Sequence, residues 1–222
     1  VYSENFVLNE DEKERASVVT FENVDFKYLG SEEYLFENLN LEIQKNKHTV
    51  LTGFNGSGKS TLLGLASGVF YPTSGSVTIN TNRVSYVSAT PFILNSTLKN
   101  NILYGSEQDV DDKKITALIK DLKIFEKDID ISLEKIISNK KLSMGQMQKI
   151  SFARALLSSP DLLILDEATS NLDRESKILI HEILKKTKCT IINSTHNIED
   201  ISYYDFHLII EEKNNQRYIK YV

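Results

Sequence analysis

Apolar positions along this chain follow two rhythms, and the switches between them predict its elements. Val18 to Val24 alternates well enough for a strand, and Leu39 to Ile43 gives a second. A turn over Lys45 to Lys47 precedes a third strand, His48 to Thr52. A further turn, Tyr71 to Gly75, leads into short strands over Ser76 to Ile79 and Val84 to Val87. Leu162 to Leu165 differs in kind. It is apolar at every position, which suits a strand covered on both faces of a parallel sheet, and Thr190 to Ser194 reads as another buried strand. Helical spacing takes over from Leu62 to Ser67 and again from about Thr97 to Leu157, clearest over Asp109 to Ile124. The last helix of that stretch opens within Lys141 to Gln146, runs towards Leu157 and is stopped by Ser159 to Asp161. Asp173 to Lys186 reads as a helix with Asp173 as its N-cap. Phe206 to Glu211 and Tyr218 to Val222 read as a closing hairpin around Asn214 and Asn215. Strands alternating with helices predict an α/β protein.

Composition narrows this without changing it. The 222 residues suit one large domain, or a domain carrying an insert. With 41% hydrophobic and 26% charged residues the chain is expected to be globular and soluble. A net charge of −5 argues against a nucleic-acid partner. No run of about 18 apolar residues occurs, so no membrane span is expected, and no signal peptide is visible. Cys189 is the single cysteine, which fits a reducing compartment, and it reads as a small core residue. The charged run Asn9 to Arg15 reads as a solvated helix end or linker within residues 1–16. His48, His181 and His207 stand alone and read as surface or satisfied core residues, and Tyr203 and Tyr204 as packing residues.

The candidate chemistry centres on Gly53 to Thr61, G-F-N-G-S-G-K-S-T, which fits the phosphate-binding pattern G-x-x-x-x-G-K-[ST]. Gly53, Gly56 and Gly58 let the backbone turn sharply, so that successive N–H groups, including those near Asn55 and Ser57, point at one anion. Lys59 can reach β- and γ-phosphates, the Ser60 hydroxyl can hold Mg²⁺, and Thr61 follows into a helix whose N-terminus faces the phosphates. A strand before the loop and a helix after it distinguish this from a chance glycine-rich turn. Asp166 ends the apolar strand, where a carboxylate beside a phosphate loop holds Mg²⁺. Glu167 points elsewhere because side chains alternate, and can act on water in line with the γ-phosphate. The same acidic pair could instead cap the next helix. Ser143, with the N–H groups near Gly145 and Gln146, marks a second helix start that could take an anion.

Taken together and in order, these motifs resemble the nucleotide-binding domain of ATP-binding-cassette transporters, from about Val18 to the end of the chain. The resemblance implies a P-loop NTPase core with a mixed sheet, an N-terminal antiparallel β subdomain and an inserted α-helical subdomain over about 88–157. In its terms Leu142 to Gln146 is the signature, with Met144 where Gly is usual, and Ser170 to Asp173 is the dimer-contacting loop, with Asn171 where Ala is common. His196 matches the switch histidine, and Tyr28 the aromatic that stacks on adenine. Pro91 to Ile102 is most like exporters. The resemblance implies ATP and Mg²⁺ as cofactors and head-to-tail pairing with a second nucleotide-binding domain, in a homodimer or heterodimer. It also implies a membrane-spanning domain on this or another chain, and a place at the cytoplasmic face of a cell membrane. A soluble cassette ATPase of repair or translation, or an ATP-gated module with little turnover, are the alternatives. Two departures stand out. Ala89 replaces the Gln that touches Mg²⁺ in relatives, and Ile136 to Lys141 replaces a Glu-Gly-rich segment before the signature.

Overall fold

The computed structural model of the chain describes residues 6–8, 16–106, 110–125, 132–213 and 216–222. They divide into two compact units, one running to Tyr86 and resuming over Asp161–Asp166 and Lys188–Val222, the other made of Val87–Pro160 and Glu167–Thr187.

The first unit is built on two sheets. One has the order β1-β5-β2-β3, from β1 (Phe6–Leu8), β2 (Ser17–Phe26), β3 (Phe36–Gln44) and β5 (Ser74–Ile79). β2 pairs antiparallel with both β3 and β5, whereas β1 lies parallel to β5, Phe6 beside Val77. Strand β1 falls within the stretch read as a linker, and the charged residues 9–15 of that stretch lie outside the described residues. The second sheet has the order β12-β11-β4-β10-β9-β6. Its centre is parallel: β4 (His48–Gly53), β9 (Leu162–Asp166), β10 (Thr190–Ser194) and β11 (Phe206–Lys213). The strands β12 (Gln216–Tyr221), antiparallel to β11, and β6 (Val84–Ser88) form its edges. Asn214 and Asn215 lie outside the described residues, but the strands they were expected to join do form a hairpin.

Burial explains this order. Leu162 to Leu165 and Ile191 are fully buried and Ile192 is 2% exposed, as strands in the middle of a covered parallel sheet must be. Helix α1 (Lys59–Ala66) contributes Leu62, Leu63 and Leu65 to the same core, which reaches the first sheet through Val19, Phe21, Phe36 and Ile79. The observed class is mixed α/β, as the sequence predicts.

The second unit is mainly helical, with its helices interrupted by extended chain. The stretch from Thr97 to Leu157 is not continuously helical. It holds α2 (Leu98–Leu103), α3 (Asp112–Asp121) and α4 (Met144–Leu157), while β7 (Ser96–Thr97) and β8 (Ile136–Ile137) form a small antiparallel ladder. Helix α3 is shorter than its apolar spacing suggests, because Asp111 accepts a hydrogen bond from Lys113 N and so starts the helix there. The β-branched pair Ile136 and Ile137 favours extended backbone, with Ile137 buried and Ile136 exposed. Helix α5 (Arg174–Lys185) begins where expected, with Asp173 capping Ser176 N at 2.8 Å.

Candidate functional site

In the first unit the phosphate-loop motif forms a turn between β4 and α1. Gly53 has φ +154°, and a Cβ there would lie 2.8 Å from Ser57 Oγ and 2.9 Å from the Ile210 carbonyl. Gly58 has φ +103° and sits at the N-cap, where a Cβ would meet the Phe36 ring at 2.9 Å. Both positions therefore need glycine, for lack of space as well as for φ. A glycine cap brings no side chain to the first N–H groups of α1, and no acidic residue lies in its first turn. The positive end of the helix is left for an anion. Lys59 is 5% exposed, and its ammonium folds back to donate to the carbonyls of Gly53 at 3.1 Å and Phe54 at 3.2 Å. Ser57 Oγ is buried without a hydrogen-bond partner among the described residues. A buried hydroxyl without a partner costs stability unless something else supplies one. Asn55 and Gly56 are exposed on the rim, with Gly56 at φ +81°. Glycine-lined amides, an uncapped helix start, a buried ammonium and an orphaned hydroxyl together fit a polyphosphate.

The end of β9 supplies the carboxylate. Ser194 stands opposite Asp166 in the parallel register and donates to its Oδ1 at 2.7 Å, while the Tyr86 phenol donates to Oδ2 at 3.0 Å. Burial first, and then the adjacent Asp166 carboxylate, pushes the Tyr86 phenol above its ordinary range, so it stays protonated and donating. Ser60 is exposed on the first turn of α1. Hydroxyl and carboxylate oxygens suit Mg²⁺, which favours oxygen donors and keeps several waters. Among the described residues no cluster of three or more His, Cys, Asp or Glu side chains could cage a metal without such help. Tyr28 is 48% exposed and its hydroxyl is engaged with Thr61 Oγ1 at 2.5 Å. Its ring stands edge-on to Phe26 and Phe70, with centroids at 5.2 and 6.1 Å. His196 is exposed on a loop fixed by Asp200, which accepts from Thr195 Oγ1 at 2.9 Å and Asn197 Nδ2 at 3.1 Å.

In the second unit Ser143 and Gln146 form a reciprocal cap on α4. Ser143 Oγ accepts from Gln146 N at 3.1 Å and Gln146 Oε1 accepts from Ser143 N at 2.9 Å. Ser143 is exposed, as is Met144 at 46%. Gly145 comes close to the Asn171 carbonyl and to Leu172. Glu167 has φ +51°, unusual for a residue other than glycine, and its carbonyl accepts from Ser170 N at 3.0 Å. Ala89 is half-buried, and its carbonyl accepts from Asn171 Nδ2 at 2.7 Å.

The first unit thus brings together Lys59 with the phosphate loop, and Asp166 with Tyr86 and Ser194. Sequence reasoning missed Tyr86, Ser194 and Asp200. The apolar run that locates Asp166 says nothing of its neighbours, which depend on the register of β10 and on the reach of Tyr86.

A family description, ABC transporter, matches residues 36–170, more than half of the chain. The chain belongs to the ABC transporter family. It is an ABC transporter ATP-binding domain, and members of the family hydrolyse ATP. It is 36% identical to ABC transporter C family member 6 of Dictyostelium discoideum over 97% of its length. A putative export ATP-binding/permease protein of Rickettsia prowazekii is 33% identical over 96% of the chain. An ATP-dependent lipid A-core flippase of Pasteurella multocida is 32% identical over 87% of it. The chain spans 16%, 39% and 36% of the lengths of these relatives. A bacterial Atm1-family ABC exporter solved with ATP bound shares the fold, with a TM-score of 0.82, 24% identity, and coverage of 97% of this chain and 40% of that one. The matched ABC region takes in the phosphate loop, Ala89, the Ser143 turn, Asp166 and Glu167, while Tyr28 and His196 lie outside it. No helix among the described residues is long and apolar enough to cross a membrane.

Proposed function

We propose that this ABC domain binds ATP with Mg²⁺ at the phosphate loop and hydrolyses it to drive an exporter. The observation that supports this is the uncapped start of α1 at Gly58 with the Lys59 ammonium folded over the loop, an arrangement suited to the β- and γ-phosphates. Ser60 and Asp166 would hold Mg²⁺, which would supply charge neutralisation on the phosphate oxygens. Tyr86 and Ser194 keep the Asp166 carboxylate aimed by occupying one oxygen each. Glu167 accepts a proton from the attacking water as the water oxygen bonds to the γ-phosphorus and the bond from that phosphorus to the bridging oxygen breaks, releasing ADP and phosphate. His196 donates towards the γ-phosphate, and the exposed Tyr28 ring takes the base.

At the start of α4 Ser143 is exposed and Gly145 and Gln146 are half-buried. That placement supports a role against nucleotide bound by a second nucleotide-binding domain, identical to this one or different. Such pairing around two ATP molecules holds the γ-phosphate from both sides, and its loss on hydrolysis resets a membrane-spanning partner at the cytoplasmic face of a membrane. Export is supported by the relatives, of which one is a flippase and another a putative export protein. The test is Glu167→Gln. It should keep ATP binding, lose turnover at least about a hundredfold, and dimerise with ATP and Mg²⁺ but not with ADP, read by phosphate release and light scattering. Equal turnover in the two forms would remove Glu167 from the reaction, and a monomer at every nucleotide would overturn the paired reading.

A further inference from the structure

Two positions that the family resemblance singles out, Ala89 and Asn171, are joined in the structure. Asn171 Nδ2 donates to the Ala89 carbonyl at 2.7 Å, across a separation of 82 residues. The neighbouring carbonyl is held as well: Gln148, fully buried on α4, donates from Nε2 to the Ser88 carbonyl at 2.9 Å. Consecutive carbonyls at the end of β6, those of Ser88 and Ala89, are therefore gripped by two amides, one from α4 and one from the turn that follows Glu167. Both grips use main-chain acceptors, so they do not depend on a functional group at position 89.

That turn has work to do. Glu167 holds a left-handed conformation, φ +51°, which is strained for a non-glycine residue and persists only where its surroundings over-determine it. Several restraints are visible. Ser170 N bonds the Glu167 carbonyl at 3.0 Å and Leu172 N the Thr169 carbonyl at 3.1 Å. Leu172 is buried, and Asp173 is fixed as the cap of α5. Between these anchors Asn171 is exposed, so apolar packing does not hold it. Its side-chain amide is the link that ties the turn sideways to the Ala89 segment, and its main chain lies beside Gly145 at the start of α4.

We propose that Asn171 is a positioning residue for hydrolysis, acting through the Ala89 carbonyl to hold the turn that aims Glu167. The proposal rests on Glu167 being the base. It predicts a change in the hydrolytic step and none in nucleotide capture, because the phosphate loop is built by other residues.

The experiment compares wild type with Asn171→Ala and Asn171→Asp. The aspartate keeps the shape but, when ionised, offers no donor to a carbonyl. Both variants should lose about five- to tenfold in kcat, the worth of one hydrogen bond that matters in the transition state. KM for ATP should stay within about twofold, as should Kd for ATP by calorimetry. Amide exchange over residues 88–90 and 167–172 should quicken in both variants, a readout independent of turnover. Wild-type kcat in Asn171→Asp, or unchanged exchange in both segments, would overturn the proposal. So would a matched loss of ATP affinity, since that would mark general loosening. Glu167→Gln is run alongside. If it hydrolyses ATP like wild type, the base assignment falls. If it is inactive while Asn171→Asp is normal, the positioning role alone falls.

Discussion

Two helices in this chain begin at positions that the sequence marks for anions, and they begin in opposite ways. Helix α1 starts at a left-handed glycine with no side-chain cap, beside a buried ammonium and an orphaned buried hydroxyl. Helix α4 starts at a serine whose hydroxyl and main chain are both satisfied by Gln146. An uncapped helix start keeps its donors unspent, so an anion meets them at no further cost. A reciprocal cap has already spent them. A phosphate arriving at Ser143 must displace a bond that stabilises the helix by about 1 kcal/mol. The first is a standing site. The second is suited to adding grip to a nucleotide that is already held elsewhere, which is the role expected of an exposed surface in a pair.

The largest expected effect breaks the first half of that comparison. Lys59→Ala removes the cation folded over the loop and should weaken ATP binding at least about a hundredfold, the scale of losing a charge-assisted contact in a buried place. Calorimetry at fixed Mg²⁺ reads it, and wild-type affinity would mean that the loop does not hold the phosphates.

Next comes the other helix start. Ser143→Arg should leave ATP affinity of the isolated domain within about twofold, yet lower kcat at least about tenfold by blocking the approach of a second domain. If ATP affinity fell as steeply as in Lys59→Ala, both helix starts would serve one nucleotide on one chain, and the contrast between them would be wrong.

Tyr28 gives a smaller effect. Its hydroxyl is committed to Thr61, so the exposed ring face is what a base can use. Stacking accepts any base and is worth about 1–3 kcal/mol. Tyr28→Ala should therefore weaken ATP and GTP alike, and the wild type should hydrolyse GTP within about tenfold of ATP. Selective loss of ATP would show that the ring does more than stack.

These tests lean on residues whose legibility in the sequence differed for physical reasons. The phosphate loop was legible because its backbone can be made by few residues besides glycine, and Gly53 and Gly58 carry that requirement openly. Strand β9 was legible because burial on both faces leaves an unbroken apolar run ending at Asp166. The β7–β8 ladder was not, since two residues cannot set a period against the helical spacing around them. Tyr86 and Ser194 were missed because their meeting at Asp166 depends on register between strands far apart in the chain. Asn171 was noticed as a departure from the family, but its bond to Ala89 spans 82 residues and leaves no local pattern.

The smallest expected effect concerns Ala89. Its methyl cannot coordinate a metal, so under the proposed reading the side-chain ligand that the family resemblance leads one to expect is missing here. Mg²⁺ prefers a near-octahedral shell but keeps waters readily, so a water can fill the place and ATP binding should survive. The carbonyl of residue 89 remains tied to Asn171 whatever side chain it carries, so replacing the side chain tests the ligand apart from the tie. Ala89→Gln should raise kcat about threefold, less than 1 kcal/mol in the barrier, and reach half-maximal rate at lower Mg²⁺. KM for ATP should hardly move, because the phosphate loop supplies most of the ground-state binding. Paired Mg²⁺ titrations of ATPase rate decide it. Superimposable curves would place position 89 away from the metal and leave the main-chain tie to Asn171 as what this segment contributes.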